Sequence, residues 1–218
     1  MTRPKICASI VNSDLETIKS VESLVDLYEV RIDLIGPEWK ELAGRLSKPW
    51  IACNRKRDEG GIWRGGEEER LAELLIALEL GAEIIDVELS TEDLVDVVTR
   101  INKRAKCLIS YHDTEKTPSI DMMKELVQKQ LAVGADICKV VTTAQKFEDN
   151  VSTLQLIGEF PEERVISFAM GPLGSVSRLL CPLVGGEFIY ASIEPGGEAA
   201  SGQITAGDLR KIYEMVKG

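Results

Sequence analysis

The sequence predicts an α/β fold, a (β/α)8 TIM barrel in a single domain spanning residues 1–218. Three observations carry that expectation. Short apolar runs rich in Val and Ile recur eight times, the pattern of strands buried on both faces of a parallel sheet. A segment with helical spacing follows each run, and strict βα alternation places helices outside such a sheet. No Pro/Ser-rich linker or low-complexity stretch interrupts the rhythm. The rival is an open doubly wound sheet. It usually carries a Gly-rich phosphate loop after an early strand, and the chain has neither GxGxxG nor a P-loop.

Taken in order, "KICASIV" (5–11) is strand one. "DLETIKSVESLV" (14–25) is its helix, with Asn12, Ser13 or Asp14 as candidate caps. "YEVRIDLI" (28–35) is strand two, followed by a short helix over 37–46 with Pro37 at a first-turn position. "WIACN" (50–54) is strand three. Its helix, 67–81, spaces Leu71, Leu74, Leu75 and Leu78 along one face and stops at glycine. Strand four is "EIIDVEL" (83–89) and strand five "KCLISYHD" (106–113). Their helices, 91–105 and 119–134, open on Thr or Ser and then acids, which suit the free N–H groups and the dipole there. Strands "ICKVVT" (137–142), "VISFAMG" (165–171) and "FIYASI" (188–193) alternate with helices 147–160, 175–185 and 207–218.

The net charge of −10 argues against nucleic acid and anionic membrane surfaces as general partners. A few arginines focused in a cleft still hold a small anion on such a protein. The five cysteines, Cys7, Cys53, Cys107, Cys138 and Cys181, are odd in number, scattered and free of CxxC pairs. They read as small buried hydrophobes in a reducing cytoplasm. With one histidine and no cysteine cluster, no metal site is expected. The N-terminus has no signal-peptide core, and no window approaches 18 consecutive apolar residues, so a cytoplasmic location and no membrane span are expected.

A barrel places chemistry at the C-terminal ends of its strands. Polar residues stand out in those runs. Glu29, Arg31 and Asp33 alternate with apolar residues in strand two, so period two puts them on one side. Neither side of a barrel strand is wet, so these groups must pair or do chemistry. Arg55 and Glu59 follow strand three in "NRKRDEGG", whose two glycines read as a loosened loop. Asp86 and Glu88 lie two apart in strand four. His112, the only histidine, ends strand five, and Lys139 lies inside strand six. A lysine is seldom buried without cause. It pairs with Asp86, Glu88 or Glu29, or else desolvation and cationic neighbours leave its amine neutral and nucleophilic toward a carbonyl. Strands five and six are neighbours in a sequentially wound barrel, so His112 can shuttle protons beside that amine. Arg178 follows strand seven, where barrels often bind anions. "EPGGEAASGQIT", ending near Gln203, suits a lid or an exposed loop.

Seven of these pieces occur in order, each at a strand end: "YEVRIDLI", "NRKRDEGG", "IIDVEL", "SYHD", "ICKVV", "FAMGPLGSVSRL" and "SGQI". Together the chain resembles the type I 3-dehydroquinate dehydratases from "KICASI" to "GQIT". The resemblance implies that Lys139 forms an imine with the substrate ketone, that His112 is the general acid and base, and that Glu59 orients it. It implies substrate binding by Ser9, Glu29, Arg31, Arg55, Arg178 and Gln203, with Asp86 and Glu88 in support. It further implies a small anionic substrate, 3-dehydroquinate, no cofactor and a homodimer. The family lid usually reads Ser-Ala-Pro-Gly-Gln, whereas here it is Ala199-Ala200-Ser201-Gly202-Gln203. A class I Schiff-base aldolase would share the fold and Lys139, but Arg55 and Arg178 suit a carboxylate rather than a sugar phosphate. A non-catalytic ligand-binding barrel would have no use for the strand lysine beside the histidine.

Overall fold

The computed structural model describes residues 3–217, so Met1, Thr2 and Gly218 of the expected 1–218 domain lie outside the described residues. The strands are β1 (Ile6–Ile10), β2 (Leu27–Arg31), β3 (Trp50–Cys53), β4 (Ile84–Glu88), β5 (Lys106–His112), β6 (Ile137–Thr143), β7 (Val165–Met170) and β8 (Ile189–Ala191). They pair in parallel in the order β7-β6-β5-β4-β3-β2-β1-β8, the winding of a TIM barrel. β7 and β8 are the two ends of this ladder. The backbone N–H of Glu187 donates to Val165 O at 3.0 Å across the seam, and the rings of Phe168 and Tyr190 meet there at 6.4 Å.

The helices are α1 (Leu15–Ser20), α2 (Ile32–Ile35), α3 (Trp39–Ala43), α4 (Glu67–Glu79), α5 (Leu94–Ile101), α6 (Ile120–Ala132), α7 (Asp149–Gly158), α8 (Ser175–Leu180) and α9 (Ala206–Lys217). Asp14 caps α1, its carboxylate accepting from Glu16 N and Thr17 N. Ser119 caps α6 through Met122 N. The cap expected for the helix after strand four is absent. Asp93 stands before α5 with φ 49° and no side-chain cap bond, while Thr91 turns inward to accept from Arg70. Leu74 and Leu78 of α4 are buried, as the spacing predicts. Burying one leucine contributes about 1.5–3 kcal/mol. The five cysteines are buried and unpaired.

Strand two is shorter than expected. The ladder stops at Arg31 and the chain turns into α2, so Asp33 is not a strand residue. The cause is local. Arg31 bends back as a fork on Asp33, Nε to Oδ1 at 2.9 Å and Nη2 to Oδ2 at 2.8 Å, and Asp33 also accepts from Ile62 N at 3.1 Å. That contact requires a tight turn rather than an extended i, i+2 pair. Gly36 at φ 73° then ends α2.

Candidate functional site

A cavity of about 210 Å³ opens at the C-terminal ends of the strands. Its wall includes Glu29, Arg31, Arg55, Glu59, His112, Lys139, Arg178 and Gln203, eight of the residues singled out by sequence. Ser9, Asp86 and Glu88 lie behind that wall. Ser9 Oγ donates to Glu29 at 2.9 Å and accepts from Gln203 Nε2 at 3.2 Å. Residues the sequence reading passed over also line the cavity: Cys53, Thr114, Phe168, Met170 and Tyr190. Period two along "VISFAM" and "FIYASI" would have marked Phe168 and Tyr190 as facing inward with their neighbours at i±2.

Lys139 is the third residue of β6, deep in the barrel rather than at the strand end. Its Nζ lies 3.0 Å from Asp86 Oδ2, 3.8 Å from Glu29 Oε1 and 4.2 Å from the centre of the Tyr190 ring. The cationic neighbours expected at this amine are therefore not its nearest ones. Two carboxylates and a π face surround it instead, because β2, β4 and β8 all point inward at this level.

Asp86 and its strand neighbour Glu88 are held from behind. Arg55 Nη2 binds Asp86 at 2.6 Å, and its Nη1 binds Glu88 at 2.9 Å and Ser110 Oγ at 2.6 Å. Ser110 Oγ in turn donates to Asp86 Oδ1 at 2.6 Å. Arg70, on α4, closes the other side, its Nη1 lying 2.7 Å from Glu88 Oε2. Against the upward push of burial, Arg55 and Lys139 hold the Asp86 carboxyl down at about 2.

His112 ends β5 beside β6, its Cα paired with that of Val141. Glu59 Oε2 accepts from its ring Nδ1 and from its backbone N–H, both at 2.9 Å. A carboxylate at Nδ1 keeps the ring proton on that nitrogen and leaves Nε2 as a base. Burial first, then Arg55, Lys139, Arg31 and Arg178, push the imidazole well below its ordinary range, which favours the neutral ring. Burial raises the Glu59 carboxyl to about 7, against the pull of Arg55.

The glycines after Glu59 do not loosen its loop. Gly60 adopts φ 84°, and a Cβ on Gly61 would collide with the Arg55 backbone carbonyl. They let the loop fold tightly back on Arg55, which aims Glu59 at His112.

Arg178, on α8, is buried, and burial lowers its guanidinium to about 10. Nη2 donates to Ser201 O at 3.2 Å, while Nε and Nη1 have no partner among the described residues. Two buried donors left open in a planar fork suit a carboxylate. Ala199 N donates to Gln203 Oε1 at 2.8 Å, and Arg31 Nη1 reaches Ala199 O at 3.4 Å. Backbone groups of residues 199–203 thus close over the cavity without the serine and proline that this segment lacks.

Glu29, Cys53 and Asp86 bring one ligand atom each within 4.8 Å of one another. A metal there would have to displace Lys139 and Arg55 from Asp86, and burial holds the Cys53 thiol well above its ordinary range. The donor set fits a cation poorly.

This combination is an amine between two acids, a neutral imidazole on a carboxylate and an open guanidinium. The family model of type I 3-dehydroquinase matches residues 6–218. The chain belongs to the type I 3-dehydroquinase family. Relatives in this family include the 3-dehydroquinate dehydratase of Dehalococcoides mccartyi, 42% identical over 99% of this chain and 97% of its own length. That of Methanocaldococcus jannaschii is 35% identical over 97% and 98% of the two chains. Among solved structures, a type I 3-dehydroquinate dehydratase from Clostridium difficile, carrying covalently modified comenic acid, superposes with a TM-score of 0.87. It is 25% identical over 98% of this chain and 92% of that one. The type I 3-dehydroquinase match extends past Gln203 to the C-terminal helix, so it includes every candidate site residue.

Proposed function

We propose that this chain is a hydro-lyase that removes water from 3-dehydroquinate to give 3-dehydroshikimate, in the shikimate route to aromatic amino acids. The observation that carries the reading is the single cavity shared by Lys139, His112 and the open fork of Arg178. Arg178 takes the substrate carboxylate, which supplies the counter-charge its guanidinium lacks. Arg31, Glu29 and Gln203 contact the hydroxyls, and Arg55 lies at the wall beside them.

Lys139 attacks the C3 ketone and water leaves, forming a protonated imine. That imine is an electron sink, so the C2 proton becomes acidic. His112 Nε2 takes the proton, and the electron pair moves toward nitrogen as an enamine. The imidazolium then protonates the departing C1 hydroxyl, which leaves as water while the new double bond forms. One residue acting at both atoms makes the elimination syn. Hydrolysis of the imine frees the product and restores the amine. General acid–base help of this kind contributes about 10²–10⁴-fold. The steps need no cofactor.

The same reading takes the protein to the cytoplasm as a homodimer. Buried unpaired cysteines suit a reducing compartment, and no helix among the described residues is long and apolar enough to cross a membrane. Phe147, Val151 and Leu173 are exposed, and Asn150 ties the backbones at Phe147 and Leu173 together, a patch a second copy would cover.

Borohydride added to the enzyme with 3-dehydroquinate tests the core of this proposal. The expected product is a reduced covalent adduct on the peptide containing Lys139. Turnover without any adduct, or an adduct on another lysine, overturns the assignment.

A further inference from the structure

Two cations in the cavity rest on aromatic rings. Lys139 Nζ lies 4.2 Å from the centre of the Tyr190 ring, and the Arg178 guanidinium lies 4.4 Å from that of Phe168. The two rings meet edge-on, 6.4 Å apart at 62°. Phe188 backs Tyr190 in the same manner at 5.3 Å and 70°. Tyr190 is on β8 and Phe168 on β7, the two strands that flank the seam of the ladder. The rings therefore pack where hydrogen bonding between strands gives out.

The Tyr190 hydroxyl does not explain this placement. It is buried and has no hydrogen-bond partner among the described residues. A buried phenol without a partner costs free energy. What the residue presents to the site is its π face, whose negative quadrupole attracts a cation most strongly in a dry cavity. Asp86 and Glu29 hold the lysine nitrogen from β4 and β2, and the ring holds it from β8. Three-sided contact fixes a flexible four-carbon side chain better than two acids on neighbouring walls.

We infer that Tyr190 is a positioning residue for Lys139, its ring face seating the nitrogen at the barrel centre and stabilising the positive charge of the protonated imine formed there. The inference rests on the imine mechanism proposed above, because the protonated imine carries its charge at this atom. The Arg178 guanidinium rests on Phe168 in the same way, and the edge contact between the two rings joins the seats of the nucleophile and the carboxylate fork. An aliphatic side chain at 190 would keep the burial and lose the quadrupole.

Tyr190→Phe and Tyr190→Leu separate these roles in the full-length protein. Turnover of 3-dehydroquinate is measured first. Brief acetylation with acetic anhydride then compares Lys139 with the exposed Lys103 by peptide mass. The Phe variant, which keeps the face, retains kcat and the acetylation ratio within about twofold. The Leu variant loses about tenfold or more in kcat with little change in KM, the size expected of a desolvated cation–π contact. Its Lys139 also acetylates faster than in the parent, because the nitrogen is no longer held against and covered by the ring. Wild-type kcat and acetylation in the Leu variant overturn the inference. Equal losses in both variants also overturn it, by assigning the role to the hydroxyl. If the Leu variant does not fold, Tyr190→Met removes the face with a more adaptable side chain. If the parent does not turn over 3-dehydroquinate, the functional reading falls, and the acetylation ratios still decide whether the ring seats the lysine.

Discussion

Glu59 Oε2 binds His112 twice, at the ring Nδ1 and at the backbone N–H, each at 2.9 Å. One oxygen thus sets both the position of the residue and the orientation of its ring. The sequence separation is 53 residues, so the contact exists only because the loop after β3 folds over the end of β5.

The pH profile follows from this contact. Burial raises the Glu59 carboxyl to about 7, and its ionised form is the stronger acceptor for the Nδ1 proton and the one that stabilises the imidazolium. Activity should therefore rise with pH through about 7 and then level. A Glu59→Gln variant should lose about 10²-fold in kcat and lose this limb, since an amide does not ionise in that range. A kcat profile still centred near 7 in the variant would remove Glu59 from the account.

Arg178 carries two buried donors without partners. Hydrogen bonds to charged groups contribute about 1.5–3 kcal/mol each, so the loss of both in Arg178→Met should raise KM by roughly 10²–10⁴-fold. The same change should leave stability in urea unchanged or slightly higher, because an unpaired buried charge is removed. A large fall in stability with unaltered KM would mean that Arg178 serves the fold.

Asp86 behaves in the opposite way. It neutralises both Arg55 and Lys139. Asp86→Asn leaves those cations without their shared partner and should destabilise by about 3–5 kcal/mol. In the parent, its carboxyl is held at about 2, below its ordinary 3.8. A lowered carboxyl stabilises the fold above its unfolded value, and that contribution is lost as pH falls through the folded value. Roughly 2 kcal/mol should therefore disappear between about pH 4 and pH 2, and the Asn variant should lack that decline. Urea titrations across the range measure both.

Gly61 allows a close backbone approach. A methyl group there meets the Arg55 carbonyl, so Gly61→Ala must shift either the loop or Arg55. The shift displaces Glu59, and kcat should fall by about tenfold or more while the thermal midpoint changes by only a few degrees. Wild-type kcat would mean that the loop does not set the histidine.

Much of the barrel was legible in the chain. Eight apolar runs and the helices between them predict a parallel wound sheet, because strands buried on both faces cannot tolerate alternating polarity. The polar interruptions to those runs marked the site, since a charge in a dry strand needs a partner. Strand two shows where this reasoning stops. Period two placed Asp33 on the same side of the strand as Glu29 and Arg31, whereas the chain leaves the sheet after Arg31 and the Arg31–Asp33 fork closes the turn. Local propensity in "IDLI" held no sign of that preference.

By itself the sequence determined the alternation of elements, the acidic surface and the identity of nearly every charged group in the cavity, because hydrophobic burial acts on each residue wherever the chain folds. Only the tertiary structure decided the partners: Asp86 and Tyr190 on Lys139, Arg70 behind Glu88, and two open donors on Arg178. Hydrogen bonds and ring contacts act only over a few ångströms. They are therefore set by register and loop geometry, which bring together residues from different strands and loops of the barrel.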